Sequence, residues 1–198
     1  MYRLFYNPKV SGDILFGLLA PEKKTDRLVR AGDLVLLFSQ EEWIGFNLFH
    51  ASRVYPFPEG GIIFAPEEAM IKALNAVLVG AKASPLLAQE PSGYAVAKIA
   101  AMEEHPLDEK AHILTLDLLE KKLTTVSWYP ELNVGDEVVV ALDGCILADG
   151  SVFHSFVSRN IPNEASLMSA RELHLGDAPG AYKVKDRVLG SDFFRGGK

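Results

Sequence analysis

Residues 94–102, Tyr94-Ala95-Val96-Ala97-Lys98-Ile99-Ala100-Ala101-Met102, alternate along a strand, with Val96, Lys98 and Ala100 on one face and Ala95, Ala97 and Ile99 on the other. Ile113 to Leu119 and Thr124 to Trp128 read as the next two strands, joined through Glu120-Lys121-Lys122. Val134-Gly135-Asp136 is a turn before Glu137 to Leu142, and Ile146-Leu147 and Val152 to Val157 continue the series. Five or six short strands separated by Gly turns predict a small β-barrel. Cys145 lies in this apolar region and is predicted to be an inert buried thiol.

Toward the N-terminus the pattern changes. Residues 1–6, rich in Tyr, Leu and Phe, predict a buried strand, and Ile14 to Leu19 a second. Leu34 to Phe38 and Trp43 to Phe49 predict a hairpin around Gln40-Glu41-Glu42. Residues 21–30 are charged and predicted to be exposed. Asn7-Pro8, Ser11-Gly12-Asp13 and Gly32-Asp33 are turn chemistry. Pro66-Glu67-Glu68 opens a helix, because Pro suits a first turn and acidic residues favour the positive end of the helix dipole. Met70, Ile71, Leu74, Val77 and Leu78 follow at helical spacing until Gly80. The chain is therefore mainly β, with a small α+β domain over 1–84, a Pro-containing linker within 81–92 and a β domain over 91–198.

The chain has 198 residues, 48% hydrophobic and 23% charged, enough to bury a core and unlike a disordered composition. No apolar run approaches the roughly 20 residues of a membrane span. The start, Met1-Tyr2-Arg3-Leu4-Phe5-Tyr6, has no signal-peptide pattern. With one Cys there is no internal disulfide framework and no Cys-based zinc cluster, and no His-x-x-x-His pair replaces it. A cytoplasmic location without a metal or cofactor is expected. The net charge of −6 divides unevenly: residues 1–90 hold nine Lys/Arg against ten Asp/Glu, residues 91–198 eleven against sixteen. Phosphate binding requires Lys and Arg, so nucleic-acid binding by the acidic half is predicted to be weak and salt-sensitive. No nucleophile elbow, P-loop or dinucleotide fingerprint is present, and no catalytic set is expected.

Residues 166–176, Ser-Leu-Met-Ser-Ala-Arg-Glu-Leu-His-Leu-Gly, predict one short helix capped by Ser166 or Ser169, with Ser169 and Glu172 at capping-box spacing, an apolar stripe of Leu167, Ala170, Leu173 and Leu175, and Gly176 as the stop. This segment follows His105-Pro106-Leu107-Asp108-Glu109-Lys110, Gly144 to Gly150, and Val157-Ser158-Arg159-Asn160-Ile161. That order resembles the tRNA-binding domain shared by the phenylalanyl-tRNA synthetase beta chain, the C-terminal part of many methionyl-tRNA synthetases and free-standing tRNA-binding proteins. Phe5-Tyr6-Asn7 with Gly12-Asp13, and Gly45 to Ser52, resemble the leader domain of the bacterial YtpR group. The resemblance implies a five-stranded OB-fold barrel in the C-terminal half, a fold that commonly binds oligonucleotides. It also implies a non-catalytic protein that takes tRNA by shape and phosphate, with no DNA specificity. Family members often dimerise, so a homodimer is expected, with Phe193-Phe194 packing on the domain or across the interface.

The resemblance carries over to particular residues. His105 and Lys110 lie in the first barrel loop. Lys110 is a candidate phosphate contact, beside Asp108, which would repel phosphate. His105 is either a ligand contact or a donor or acceptor that orders the loop. Arg159 matches the family's Arg before Gly-Val, where Asn160 replaces the Gly and can adopt the same left-handed conformation. Ala165-Ser166 replaces the family's Gly-Met. Ser169, Arg171 and Glu172 match the tRNA-facing edge. Arg171 is the leading phosphate candidate against a plain solvated charge, with Lys98 next. Trp128 and Tyr129 either stack on unpaired bases or pack in the core or an interface. A second reading keeps the fold and drops the RNA: an acidic OB-fold protein–protein or dimerisation module.

Overall fold

The computed structural model describes residues 1–196; Gly197 and Lys198, the end of the tail, lie outside the described residues. The chain is mainly β and forms two compact units, residues 1–90 and 91–198. The N-terminal unit contains β1 (Arg3–Tyr6), α1 (Pro8–Ser11), β2 (Ile14–Leu18), β3 (Arg27–Ala31), β4 (Leu34–Ser39), β5 (Glu42–Phe49), β6 (Gly61–Ile63) and α2 (Glu68–Gly80). Its six strands form one antiparallel sheet in the order β3-β4-β5-β2-β1-β6. Residues 21–30 are mostly exposed, as their charge predicts, but Arg27–Ala31 is also a strand, paired with β4 at the sheet edge. Charged side chains suit an edge because they blunt its unpaired backbone groups.

Helix α2 buries Met70, Ile71, Leu74 and Leu78 in one core with Leu4, Leu15, Phe46 and Leu48 from the sheet. Gly17 lies opposite Phe46, and a methyl at position 17 would stand 2.1 Å from the Phe46 ring. Glycine therefore leaves the space that the ring fills. Residues 83–90, predicted as linker, pack onto this unit instead. Ala83, Leu86 and Ala88 join its core, and Asn75 holds Leu86 by donating to its carbonyl at 2.9 Å and accepting its N–H at 2.7 Å. The Tyr2 hydroxyl donates to Leu87 O at 2.9 Å.

The C-terminal unit contains β7 (Tyr94–His105), β8 (Asp108–Asp117), β9 (Lys122–Ser127), β10 (Glu137–Leu142), β11 (Cys145–Ile146), β12 (Val152–Phe153), β13 (Phe156–Ser158), β14 (Ile161–Asn163), β15 (Ala165–Leu167) and β16 (Lys183–Val184). Its main sheet runs β15-β10-β7-β8-β9, with β16 also on β10. Ala97, Ile99, Leu114, Leu116, Val138 and Val140 fill its core. The outer strands meet across the segment around Glu164. Glu164 N–H donates to Thr124 O at 2.9 Å, Thr125 Oγ1 donates to Ala165 O at 2.6 Å, and Asn163 Oδ1 accepts Val126 N–H at 3.1 Å. These bonds explain why Thr125 and Asn163 are buried without loss. Among the described residues no β9–β15 ladder forms, so side chains do much of the joining.

The helix predicted over 166–176 is absent. Ala165–Leu167 pairs with β10 as a strand, with Ala165 and Leu167 buried and Ser166 between them. A single turn follows. Ser169 N–H donates to Glu172 Oε2 at 2.8 Å and Glu172 N–H donates to Ser169 Oγ at 3.3 Å, a complete capping box. His174, at φ +56°, then ends the turn: Leu175 N–H reaches Ala170 O at 2.8 Å and His174 N–H reaches Arg171 O at 3.1 Å. This pair of bonds is the Schellman pattern. Of the two candidate caps Ser169 starts the turn while Ser166 lies in β15, and the stop falls at His174 rather than Gly176, which leaves one turn. The tail packs back on the unit: Phe194 meets Tyr94 edge-on at 5.4 Å and Phe193 meets Tyr182 at 5.8 Å. Asp192 accepts Ser92 N–H at 2.5 Å and Ser92 Oγ at 2.7 Å.

Candidate nucleic-acid interface

The hairpin between β7 and β8 turns at Pro106-Leu107, with His105 opposite Asp108. His105 Nδ1 accepts Leu107 N–H at 3.2 Å, the loop-ordering bond that the sequence left open. Asp108 Oδ1 accepts Lys110 N–H at 3.0 Å, and Oδ2 accepts the Trp128 indole N–H at 2.9 Å. The indole bond, then the Lys110 backbone bond, hold the Asp108 carboxyl below the usual carboxylate range. Asp108, expected only to repel phosphate beside Lys110, is also a tether. It fixes the edge of Trp128 while the side chain remains 61% exposed.

Opposite the indole, β13 and β14 form a tight hairpin through Arg159 and Asn160, with Ser158 facing Ile161. Both turn residues are left-handed, at φ +50° and +64°, as a two-residue type I′ turn requires. Asn160 thus takes the conformation expected of it, and Arg159 takes it as well. The hairpin brings Arg159, Ser158 and Phe156 to a cleft of about 260 Å³ shared with His105, Asp108, Val126, Trp128 and Asn163.

A second cleft, of about 320 Å³, also includes Val126 and Trp128 and continues to Ser127, Tyr129, Ser166, Leu167 and Glu172. Burial, then the nearby Glu172 charge, push the Tyr129 pKa up. Together the two clefts bring His105, Trp128, Tyr129, Arg159 and Glu172 onto one face, with Ser169 bonded to Glu172. Phe156 was read only as part of a strand. Its role as a cleft wall depends on the β13–β14 pairing, which its own alternation does not reveal.

Arg171 and Lys98 are placed elsewhere. Arg171 lines a third cleft, of about 280 Å³, with Tyr94, Leu147, Asp149, Met168 and His174, and only Glu172 is shared with the second cleft. Lys98 stands between Glu137 and Asp117 in the sheet register, and Asp117 faces Lys122, so the row alternates in charge. Lys110 is exposed on β8. Among the described residues, Lys98, Lys110, Arg159 and Arg171 form no ion pair.

No protein-family model matches the chain. Over 197 residues it is 30% identical to a Bacillus subtilis (strain 168) protein named "Putative tRNA-binding protein YtpR", a match spanning 97% of this chain and 96% of that protein. It is 24% identical over 138 residues to the phenylalanine–tRNA ligase beta subunit of Sulfurimonas denitrificans, covering 64% of this chain and 18% of that protein. A crystal structure of a MetRS related protein from Pyrococcus horikoshii aligns with 50% of this chain and 85% of its own, at a TM-score of 0.35 and 10% identity. With its two units matched nearly end to end by the first of these relatives, the chain belongs to the YtpR family.

Proposed function

We propose that this chain binds tRNA without catalysis, through the face of its C-terminal unit that surrounds Trp128, with that unit acting as an OB-fold. The relatives support the ligand, one being named for tRNA binding and another a tRNA ligase subunit. The observation that carries the site is the tethered indole: Asp108 holds the Trp128 edge at 2.9 Å while the ring stays open to solvent. Arg159 lies across the cleft and Lys110 nearby, both without ion pairs, so they are available for phosphate. Arg171 and Lys98 become peripheral contacts at most. Affinity is weak and falls with salt because few cations face many carboxylates. The function requires no cofactor and belongs in the cytoplasm. The test is binding of bulk tRNA by the wild-type chain and by Trp128→Ala at low and physiological salt. Micromolar binding, weakened at least tenfold by the substitution, supports the site. Equal binding by both proteins removes it.

A second reading, a dimerisation or protein-docking surface, draws on the same face. Trp128 and Phe156 are both more than half exposed there, and the half of the chain that carries them is the acidic one. Sedimentation equilibrium of the same two proteins without RNA decides it: a dimer lost in Trp128→Ala, with no tRNA binding, favours this reading.

A further inference from the structure

We infer that the tRNA feature held at this face is an unpaired two-base step, with one base in each of the clefts that adjoin Trp128. The inference rests on the tRNA-binding proposal and specifies its ligand. Val126 and Trp128 line both clefts, so the indole forms the wall between them. The clefts, of about 260 and 320 Å³, are of a size for single bases rather than for a stacked pair of strands. Each also has an aromatic ring besides Trp128, Phe156 in one and Tyr129 in the other. A base entering either cleft therefore meets the indole on one side and a second ring nearby, and such stacking accepts any base.

The charges point the same way. Asp108 lies in the first cleft and Glu172 in the second. A carboxylate there repels phosphate, but it accepts hydrogen bonds from the amino groups on base edges. The interiors of the clefts thus favour bases and exclude backbone, which leaves phosphate to Arg159, in the lining of the first cleft, and to the exposed Lys110, two residues along β8 from Asp108. About two phosphate contacts on a single strand imply a loss of only roughly sevenfold between 50 and 200 mM salt. A duplex, whose bases are already stacked and whose phosphates are dense, has no place here.

The test uses the full chain carrying Trp43→Phe, so that Trp128 reports alone. Its fluorescence is titrated with an unstructured single-stranded RNA tetramer, a blunt-ended RNA duplex and bulk tRNA. The tetramer is expected to quench Trp128, to compete with tRNA, and to lose less than about tenfold in affinity across that salt range. Competition against labelled tRNA with the unsubstituted chain gives the same comparison should Trp43→Phe perturb folding. Trp128→Ala is expected to lose tetramer binding and Trp128→Phe to keep part of it. Duplex competing as well as the tetramer overturns the inference, as does tRNA binding without tetramer binding, which leaves the broader proposal intact. Tetramer binding without tRNA binding removes the proposal and with it the inference about tRNA, and leaves a site for single-stranded RNA at this face. If neither RNA binds, both fall, and a dimer lost in Trp128→Ala would then identify the face as a protein interface.

Discussion

The chain has two tryptophans, one in each unit, and their surroundings differ in an instructive way. Trp43 is half-buried; its N–H donates to Gly45 O at 2.8 Å and its ring stacks on Phe46 at 6.2 Å. Trp128 also satisfies its N–H, on Asp108 at 2.9 Å, but its ring meets solvent and two clefts. The polar cost of the indole is met in both places. What differs is the ring face, which in Trp43 contributes to a core and in Trp128 is kept open. A side chain held in place yet uncovered adds little to stability, and it loses little entropy when a ligand arrives.

The sharpest way to break this comparison is to unfold each side of it. Phe46→Ala removes the ring between Trp43 and Gly17 and is expected to cost about 3–5 kcal/mol, as large-to-small core changes do. Trp128→Ala is expected to stay within about 0.5 kcal/mol of wild type, as exposed substitutions do. Chemical denaturation followed by circular dichroism measures both. A comparable cost for Trp128→Ala would mean that its ring is structural and the comparison fails.

Gly17→Ala is the intermediate case. Its methyl would lie 2.1 Å from the buried Phe46 ring, so the ring or the strand must shift. A cost of about 1–3 kcal/mol is expected, typical of an overfilled core. Loss of the near-ultraviolet signal of Trp43 should accompany it, because the Trp43–Phe46 stack depends on the same ring position. An unchanged signal would show that the stack is independent of Gly17.

Much of this architecture was legible. Helix α2 followed from Pro66, the acidic first turn and apolar residues at helical spacing, all local signals. The first long strand of the C-terminal unit followed from alternation and those of the N-terminal unit from apolar and aromatic runs, while β3 was hidden in a stretch read only as charged and exposed. Less legible were features that depend on distant partners. Residues 166–168 suit a helix by pattern, but pairing with Val140 to Leu142 made a strand, since β10 has an open edge there and burial of Leu167 decides the outcome. Arg171 looked like the leading basic contact because it lies in the Ser169–Glu172 segment that matches the family's tRNA-facing edge, yet it lines a different cleft from Arg159. Asp108 was visible only as a charge beside Lys110. Its bond to an indole 20 residues away is a tertiary fact. The OB-fold expectation came from resemblance, and in the structure side chains of Thr125 and Asn163, unremarkable in sequence, bridge the outer strands.

The smallest effect concerns the tether itself. The Asp108 carboxyl is held below its ordinary value by the Trp128 and Lys110 N–H bonds, so it is ionised and accepting throughout the neutral range. A group with a depressed folded-state pKa exerts its full stabilising effect above the unfolded value, near 3.9, and loses it as pH falls through the lower folded value. The anisotropy of Trp128, read in Trp43→Phe, is therefore expected to stay flat from pH 8 to about 5 and to fall only below about 4. Asp108→Ala should lower it above about pH 5 and converge with the parent as acid protonates Asp108, without a measurable change in stability, because the bond lies at the surface and water replaces it. RNA affinity should fall in the same variant, since the indole would then have to be ordered on binding. If the anisotropy of Asp108→Ala matches that of the parent, the indole is fixed by its neighbours instead, and the contrast with Trp43 would rest on ring exposure alone.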